Sequence, residues 1–167
     1  MKISIIAALG KNREIGLNND LIWKISEDLQ NFKKITMGHH LVLGRRTYES
    51  LGKSLVGRKL IILTSDPYYE AEGCKVATSI EEAIFYAKQS GEDDLMICGG
   101  AKVYKDFLAK ADVMYLSRVE YEGEADTYFP EFDTSEWRLD KEEFHPEKDD
   151  GTPAWNFQTL FKKESTS

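Results

Sequence analysis

The sequence predicts an α/β domain whose sheet is largely parallel and carries helices on both faces. Short apolar runs with little alternation recur along the chain, which is typical of strands buried on both faces. Helical patterns fall between these runs, and this alternation favours parallel strands joined by helical crossovers. Near the end, two strand patterns flank a polar connection and predict a hairpin, which would place an antiparallel strand in the sheet.

The predicted elements follow one another in a regular order. Strands are predicted at 3–8, 41–43, 60–63, 75–77, 95–98 and 113–116, and helices at 26–35, 46–51, 80–89 and 101–108. Ser26 is expected to cap the first helix, whose first turn is acidic, as the helix dipole prefers. Ser79 and Glu82 form the capping box of the third helix. The hairpin strands are predicted at 137–144 and 154–161, and 9–23 is predicted to be a long irregular loop.

Length and charge limit the class of protein. The chain has 167 residues and a net charge of -7, which favours one domain over 1–167 and argues against a protein wrapped around nucleic acid. Cys74 and Cys98 form no Cys-x-x-Cys pair and are expected to be reduced thiols, and the histidines lack metal-ligand spacing, so no metal is assigned. The apolar start at 1–9 is short, and no stretch approaches the ~20 apolar residues of a membrane helix. A cytoplasmic protein that does not enter a membrane is expected.

Two groups that follow predicted strands could bind phosphate. Gly99 and Gly100 stand between a strand and a helix, where a close backbone and free N–H groups suit an anion. Taken alone, a Gly-Gly pair is more often a tight turn, and this one does not match the Gly-x-Gly-x-x-Gly fingerprint. Arg45 and Arg46 follow Gly44 in the same way, and are either a phosphate-binding pair or a solvated basic pair.

Further polar groups have two interpretations each. Thr64 and Ser65 either add hydroxyls to the phosphate region or form an ordinary turn. Asp28 shares a helix face with Phe32, so it either lines an apolar pocket or is a helix-end charge that points at water. Arg58 would by default be solvated, and Leu21 and Trp23 would by default be core residues.

In this order and spacing, these groups resemble the bacterial-type dihydrofolate reductases over nearly the whole chain. The matching stretches are Ile6-Ala7-Ala8, Ile15-Gly16, Leu21-Ile22-Trp23, Asp28-Leu29-x-x-Phe32-Lys33, Leu43-Gly44-Arg45-x-Thr47-x-Glu49-Ser50-Leu51-Gly52, Leu55-x-Gly57-Arg58, Ile97-Cys98-Gly99-Gly100-Ala101-x-Val103-Tyr104 and Asp126-Thr127-x-Phe129-Pro130.

The resemblance implies an eight-stranded, mostly parallel sheet with an antiparallel C-terminal strand, and a cleft beside an adenosine-binding subdomain at about 37–89. It implies NADPH as the cofactor, with Arg45, Thr64 and Ser65 around the 2′-phosphate and a cis peptide between Gly99 and Gly100. The implied cofactor positions are Ala8, Ile15, Gly16, Gly44, Arg45, Arg46, Thr47, Leu63, Thr64, Ser65, Cys98, Gly99, Gly100, Ala101, Lys102, Val103 and Tyr104.

The resemblance also implies dihydrofolate as the substrate. Asp28 would bind the pterin and favour protonation at N5 through a water, Arg58 would pair with the folate carboxylate, and Ser117 would support Asp28. Hydride would pass from NADPH to C6 of the pterin under a mobile lid. The implied substrate positions are Ile6, Ala7, Asp28, Leu29, Phe32, Leu51, Leu55, Arg58, Cys98 and Ser117, and the implied catalytic positions are Asp28, Trp23 and Leu21. Antifolate inhibitors are expected to bind, and a monomer is the expected state.

Several positions depart from the usual pattern of that family. Ile22, Ser26, Ala101, Ser117 and Ala125 stand where proline, proline, glycine, threonine and glycine, respectively, are frequent. Ala101 could crowd the cofactor pyrophosphate, and Ile22 could change the hinge of the lid. None of these changes removes a group that the chemistry requires.

Two other functions compete with this interpretation. A reductase of riboflavin biosynthesis would share the fold and the cofactor, but its ribosylated pyrimidine has no pterin and no glutamate tail. A non-catalytic NADP-binding module would keep the phosphate groups and have no need of the lid. Asp28 and Arg58 together favour folate.

Overall fold

An eight-stranded sheet forms the centre of the computed structural model, which describes residues 1–18 and 20–164. The strands are β1 (Lys2–Leu9), β2 (Glu14–Leu17), β3 (Asp20–Leu21), β4 (His40–Gly44), β5 (Lys59–Leu63), β6 (Lys75–Ala77), β7 (Asp94–Gly99), β8 (Val113–Val119), β9 (Thr127–Tyr128), β10 (Trp137–His145) and β11 (Trp155–Lys162). The helices are α1 (Ser26–Thr36), α2 (Arg45–Leu51), α3 (Ile80–Gln89) and α4 (Ala101–Phe107), with short 3-10 turns at Gly52–Ser54, Leu108–Lys110 and Thr134–Glu136.

The large sheet has the predicted mixture of strand directions. Its order is β10-β11-β8-β1-β7-β4-β5-β6. The pairs from β8 through β6 are parallel, whereas β11 runs antiparallel to both β8 and β10. The prediction of a mostly parallel eight-stranded sheet with an antiparallel C-terminal strand is therefore confirmed.

Each face of this sheet carries its own apolar layer. Successive residues of a strand point to opposite faces, so Ile5 and Ile6 enter different layers. The layer around Ile5 also contains Val103 and Phe107 of α4, while Phe32 of α1 packs against the layer around Ile6. Burial on both faces explains why inner strands such as β4 and β7 carry few polar side chains.

The helix starts test the two capping predictions. Ser79 Oγ accepts a hydrogen bond from the backbone N–H of Glu82 at 3.1 Å, so the predicted cap of α3 is confirmed. The prediction for Ser26 was wrong, because Ile25 is the N-cap of α1 and no side chain caps this helix. Ile25 is 4% exposed and belongs to an apolar cluster with Val119, so tertiary packing decides where the helix begins.

The segment predicted to be an irregular loop contains short strands. β2 pairs with β3 and with β9 in a separate three-stranded sheet. The buried carboxylate of Glu14 accepts backbone N–H bonds from Asn12 at 2.6 Å and from Gly123 at 3.1 Å. The predicted lid, residues 10–23, is therefore tied to the connection between β8 and β9. Asn19 lies outside the described residues.

A second buried carboxylate lies at the start of β4 and β7. Glu92 accepts hydrogen bonds from Nδ1 of His39 and Nδ1 of His40, both at 2.7 Å, and from the backbone N–H of His40 at 2.6 Å. The side chain of Glu92 is 4% exposed. Although burial would raise the pKa of Glu92, these donors and the N–H of Asp94 lower it to about 2.

Among the described residues, no helix combines the length and apolar character needed to cross a membrane.

Candidate active site

Several of the predicted cofactor residues lie at one edge of the large sheet. Ala8, Gly44, Leu63 and Gly99 lie at the C-terminal ends of β1, β4, β5 and β7, which are parallel to one another through the sheet. Open α/β sheets form their ligand crevices at this edge. The first turns of α2 and α4 begin there too.

Asp28 lies in the first turn of α1 and faces β8. Oγ of Ser117 donates a hydrogen bond to Oδ1 of Asp28 at 2.5 Å. Burial raises the pKa of Asp28, and the bond from Ser117 and the charge of His145 offset part of this effect. The carboxyl group of Asp28 is therefore partly buried and held by Ser117, and that it lines a ligand pocket stays a prediction.

Four residues of the predicted pterin and folate site pack together in one apolar cluster. Ile6, Leu55 and Cys98 are buried in one apolar cluster, and Phe32 packs against it. Leu29, in the position after Asp28, is 44% exposed and lies outside this cluster. Ala7 is buried in the other layer, and Leu51 is half-buried outside the cluster.

Arg58 is held by neutral oxygen atoms. Its guanidinium donates to the carbonyls of Val56 at 3.1 Å and Ser54 at 3.3 Å, and to Oγ1 of Thr36 at 3.3 Å. Partial burial lowers the pKa of Arg58. None of the described carboxylates forms an ion pair with this guanidinium, so its charge is available to an acidic ligand.

Glycines line the narrow space between the starts of α2 and α4 and add no side chains to it. The Gly99–Gly100 peptide bond is cis, as predicted, and Gly99 has φ +127°. A Cβ at Gly100 would lie 3.3 Å from Oγ1 of Thr47, and one at Gly44 would lie 3.3 Å from Cγ2 of Val103. Larger residues would crowd this cradle, which suits a ligand that approaches the backbone closely.

α4 connects this cradle to the apolar pocket. The buried hydroxyl of Tyr104 donates to the carbonyl of Ile6 at 2.8 Å. Val103 is buried, Ala101 is half-buried and Lys102 is exposed. The helix therefore holds the end of β1 beside the glycine turn.

The residues predicted to bind the 2′-phosphate are only partly linked to one another. Thr64 Oγ1 accepts the backbone N–H of Asp66 at 3.3 Å, and Arg45 Nη1 lies 3.8 Å from Oδ2 of Asp66. Arg46 and Ser65 are exposed, and no side-chain hydrogen bond or ion pair joins either of them to another described residue.

The predictions missed the groups that hold Arg45. Nε of Arg45 donates to Oε1 of Glu49 at 3.0 Å, and the guanidinium lies 4.4 Å from the ring centroid of Tyr69. The i,i+4 spacing of Arg45 and Glu49 was a signal available in the sequence. The contacts of Asp66 and Tyr69 with α2 form only in the folded chain, so no spacing in the sequence indicated them.

The predicted lid residues contact the connection that follows β8. Trp23 packs against Tyr121, with ring centroids 5.2 Å apart, and Leu21 is 37% exposed. Ile15 and Gly16 belong to β2. The backbone N–H of Asn18 donates to Oδ2 of Asp126 at 2.9 Å, which adds a second tie between the lid and the connection after β8.

The chain matches known proteins over its whole described fold. A family model described as dihydrofolate reductase matches residues 2–162. Dihydrofolate reductase of Bacillus subtilis (strain 168) is 40% identical over 165 residues, which cover 99% of this chain and 96% of the relative. Dihydrofolate reductase type 3 of Salmonella typhimurium is 37% identical over 163 residues, which cover 98% and 99%.

A solved structure matches equally well. Dihydrofolate reductase from Enterococcus faecalis, complexed with NADP(H) and RAB-propyl, superposes with a TM-score of 0.89 at 34% identity. The match covers 98% of this chain and 97% of that one.

Proposed function

The chain belongs to the dihydrofolate reductase family and reduces 7,8-dihydrofolate to tetrahydrofolate with NADPH, and we propose that Asp28 is the acidic group on which this reaction depends. It thereby supplies one-carbon metabolism, and its family is a target of antifolates. The observation that carries the proposal for Asp28 is its partly buried carboxyl group, held by Ser117 beside an apolar cluster.

Asp28 has the properties that protonation of a pterin requires. A carboxylate in this position accepts hydrogen bonds from the amino group and ring N–H of the pterin, which favours the substrate protonated at N5. A water carries the proton to N5, because Asp28 binds the opposite side of the ring. Ile6, Leu29 and Phe32 supply the apolar surface against which the ring packs.

Arg58 fixes the other end of the substrate. An arginine fork that is already oriented by two carbonyls and a hydroxyl can form a bidentate pair with the α-carboxylate of the glutamate tail. Leu51 and Leu55 flank the aminobenzoyl ring between this carboxylate and the pterin. The pair of charged groups, Asp28 and Arg58, favours folate over the ribosylated pyrimidine of riboflavin biosynthesis, which has no carboxylate tail.

The glycine cradle fits the cofactor. Bound NADPH supplies the hydride. The free backbone at Gly44, Gly99 and Gly100 leaves room for the pyrophosphate, and the first turn of α4 offers N–H groups to it. Arg46 and Thr47 bind phosphate oxygens, while Arg45, Thr64 and Ser65 bind the 2′-phosphate.

The remaining cofactor positions surround the nicotinamide and the pyrophosphate. Backbone groups of Ala8 hold the carboxamide, and residues of the lid exclude water from the reacting atoms. The other positions that complete this surface are Ile15, Gly16, Leu63, Cys98, Ala101, Lys102, Val103 and Tyr104. Trp23 and Leu21 close the site from the lid. Residues at about 37–89, which contain β4, α2, β5, β6 and α3, form the adenosine-binding subdomain.

The protein acts as a cytoplasmic monomer that binds dihydrofolate and antifolate inhibitors. Its net charge of -7 argues against nucleic acid as a partner. Sedimentation of the purified protein at micromolar concentration tests the monomer, and a second species whose share grows with concentration contradicts it.

One assay tests the reaction and the role of Asp28 together. Purified protein is mixed with dihydrofolate and NADPH, and the loss of NADPH absorbance is followed. We expect a loss that requires both compounds and that nearly disappears in Asp28→Asn. Oxidation of NADPH without dihydrofolate would contradict the assigned reaction, and full activity in Asp28→Asn would remove this residue from it.

A further inference from the structure

We propose that Asp66 limits the preference of this enzyme for cofactors that carry a 2′-phosphate. This inference rests on the proposed role of Arg45 as the partner of that phosphate. Asp66 directs a carboxylate oxygen at the same guanidinium, at 3.8 Å from Nη1. Asp66 therefore competes with the 2′-phosphate for Arg45, and its negative charge repels the phosphate.

The contacts of Arg45 leave one part of its fork for a ligand. Glu49 occupies Nε at 3.0 Å, and the ring of Tyr69 covers one face of the guanidinium. The hydroxyl of Tyr69 also donates to Oε1 of Glu49 at 3.4 Å, so these two residues orient the fork together. Asp66 lies on the Nη1 side, which is a side that a bidentate phosphate contact would use.

The carboxylate of Asp66 is held where it is by the turn after β5. Its Oδ1 accepts the backbone N–H of Tyr68 at 2.9 Å, and its own N–H donates to Oγ1 of Thr64. Oδ2 faces Arg45 because Oδ1 is engaged by the turn. Asparagine keeps Oδ1 as an acceptor and removes the charge, so Asp66→Asn changes the electrostatics without removing the turn contact.

The charges around Arg45 indicate that Asp66 weakens binding of the 2′-phosphate. Arg45 and Arg46 are matched by Glu49 and Asp66, so the four side chains sum to zero formal charge. A phosphate of charge about -1.5 to -2 gains less from such a group than from an uncompensated arginine pair. A ribose with a free 2′-hydroxyl can instead donate a hydrogen bond to the carboxylate of Asp66, as in NAD sites. Asp66 therefore weakens binding of the 2′-phosphate and favours the hydroxyl.

The test uses two probes that differ only in the phosphate. Calorimetry measures the dissociation constants of adenosine 2′,5′-bisphosphate and adenosine 5′-monophosphate. The monophosphate constant divided by the bisphosphate constant gives the advantage of the 2′-phosphate. We expect Asp66→Asn to increase this ratio about threefold to tenfold at low salt, the range for one partly exposed charge near a phosphate. The increase should shrink at high ionic strength because exposed charges are screened. NADP⁺ and NAD⁺ should show the same change.

Two variants control the test. Glu70→Gln removes the charge of another exposed acid in the same connection, and it should leave the ratio unchanged. Arg45→Met should abolish most of the advantage of the 2′-phosphate. If Arg45→Met lowers the ratio but Asp66→Asn leaves it unchanged, the inference about Asp66 is wrong and the role of Arg45 stands. If Arg45→Met has no effect, the proposed phosphate site itself is wrong. An equal increase in Glu70→Gln would overturn the specific role of Asp66, since net charge alone would then explain the gain.

Discussion

The hydroxyl of Ser117 lies 2.5 Å from Oδ1 of Asp28, although the two residues are 89 positions apart in the chain. The bond joins the first turn of α1 to a strand in the interior of the sheet. It favours the ionised form of a carboxyl group whose burial favours the neutral form. Burial and the bond from Ser117 therefore act on the pKa of Asp28 in opposite directions, and a substitution that removes one of them should shift it predictably.

Removing the hydroxyl should raise the pKa of Asp28 further. Ser117→Ala deletes the donor, whereas Ser117→Thr keeps it on a larger side chain. A titration followed by the carboxyl carbon resonance of Asp28 should show a higher midpoint in Ser117→Ala and a nearly unchanged midpoint in Ser117→Thr. Equal midpoints in the wild type and Ser117→Ala would mean that the hydroxyl does not favour the carboxylate.

Neutralising Asp28 should slow hydride transfer much more than it weakens NADPH binding. Asp28→Asn should lower the single-turnover rate at neutral pH by about two to four orders of magnitude, the range for loss of an acid–base or key electrostatic group. The rate of the variant should climb as pH falls, because it depends on substrate protonated in solution. A slow rate that is independent of pH would mean that the carboxylate only positions the ring.

The same substitution should not destabilise the fold. Because the folded-state pKa of Asp28 is raised above its unfolded value, folding takes up a proton in the interval between them, and stability falls as pH rises through that interval. At neutral pH the ionised carboxylate therefore costs stability. Urea unfolding at pH 7 should show Asp28→Asn to be at least as stable as the wild type, and a clear loss of stability would contradict this sign.

Arg58 should matter to the tail of the substrate and little to the chemistry. Arg58→Leu should weaken dihydrofolate binding by about 1.5–3 kcal/mol, the usual value of a hydrogen bond to a charged group. A diaminopyrimidine inhibitor without a carboxylate should bind nearly as well as it does to the wild type. Equilibrium titration of both ligands makes the comparison, and equal weakening would show that Arg58 is structural.

Glu92 should stabilise the protein above the pH at which it is protonated. Its pKa falls from 4.5 to about 2 on folding, so its contribution is complete above pH 4.5 and is lost as pH falls towards 2. Glu92→Gln should cost about 1–3 kcal/mol at pH 7, as expected when a buried hydrogen-bonded charge is lost. The difference from the wild type should shrink in urea unfolding at pH 3. Asp93→Asn, which alters an 89% exposed side chain next to it, should have little effect at either pH.

The parts of the fold that follow local patterns were predictable, and those set by distant contacts were not. Burial on both faces marks β1 and β7 in the sequence, and the hydroxyl of Ser79 marks the start of α3. β3 is only two residues long and pairs outside the large sheet, so no periodicity revealed it. The start of α1 depends on the packing of Ile25, which Ser26 as a capping type did not indicate.

The site shows the same division. The helical spacing of Asp28 and Phe32 allowed a pocket carboxylate to be proposed, but only the contact with β8 shows that the carboxyl group of Asp28 is held inside the fold. The place of Arg45 after a strand made it a candidate phosphate ligand, and that role stays a prediction. Its acidic neighbour Asp66 belongs to a turn that reaches α2 only in the folded chain, so local patterns did not link them.

The position of β11 between β8 and β10 has a consequence for biosynthesis. The ribosome makes β8, with Ser117, before it makes the strand that covers the outer edge of β8. Until residues through Lys162 have emerged, that edge presents unpaired N–H and C=O groups, and such edges invite pairing with other chains. The pairing of β8, the strand that carries Ser117, is therefore completed late in synthesis, and a chaperone that shields this edge would protect the nascent chain during that interval.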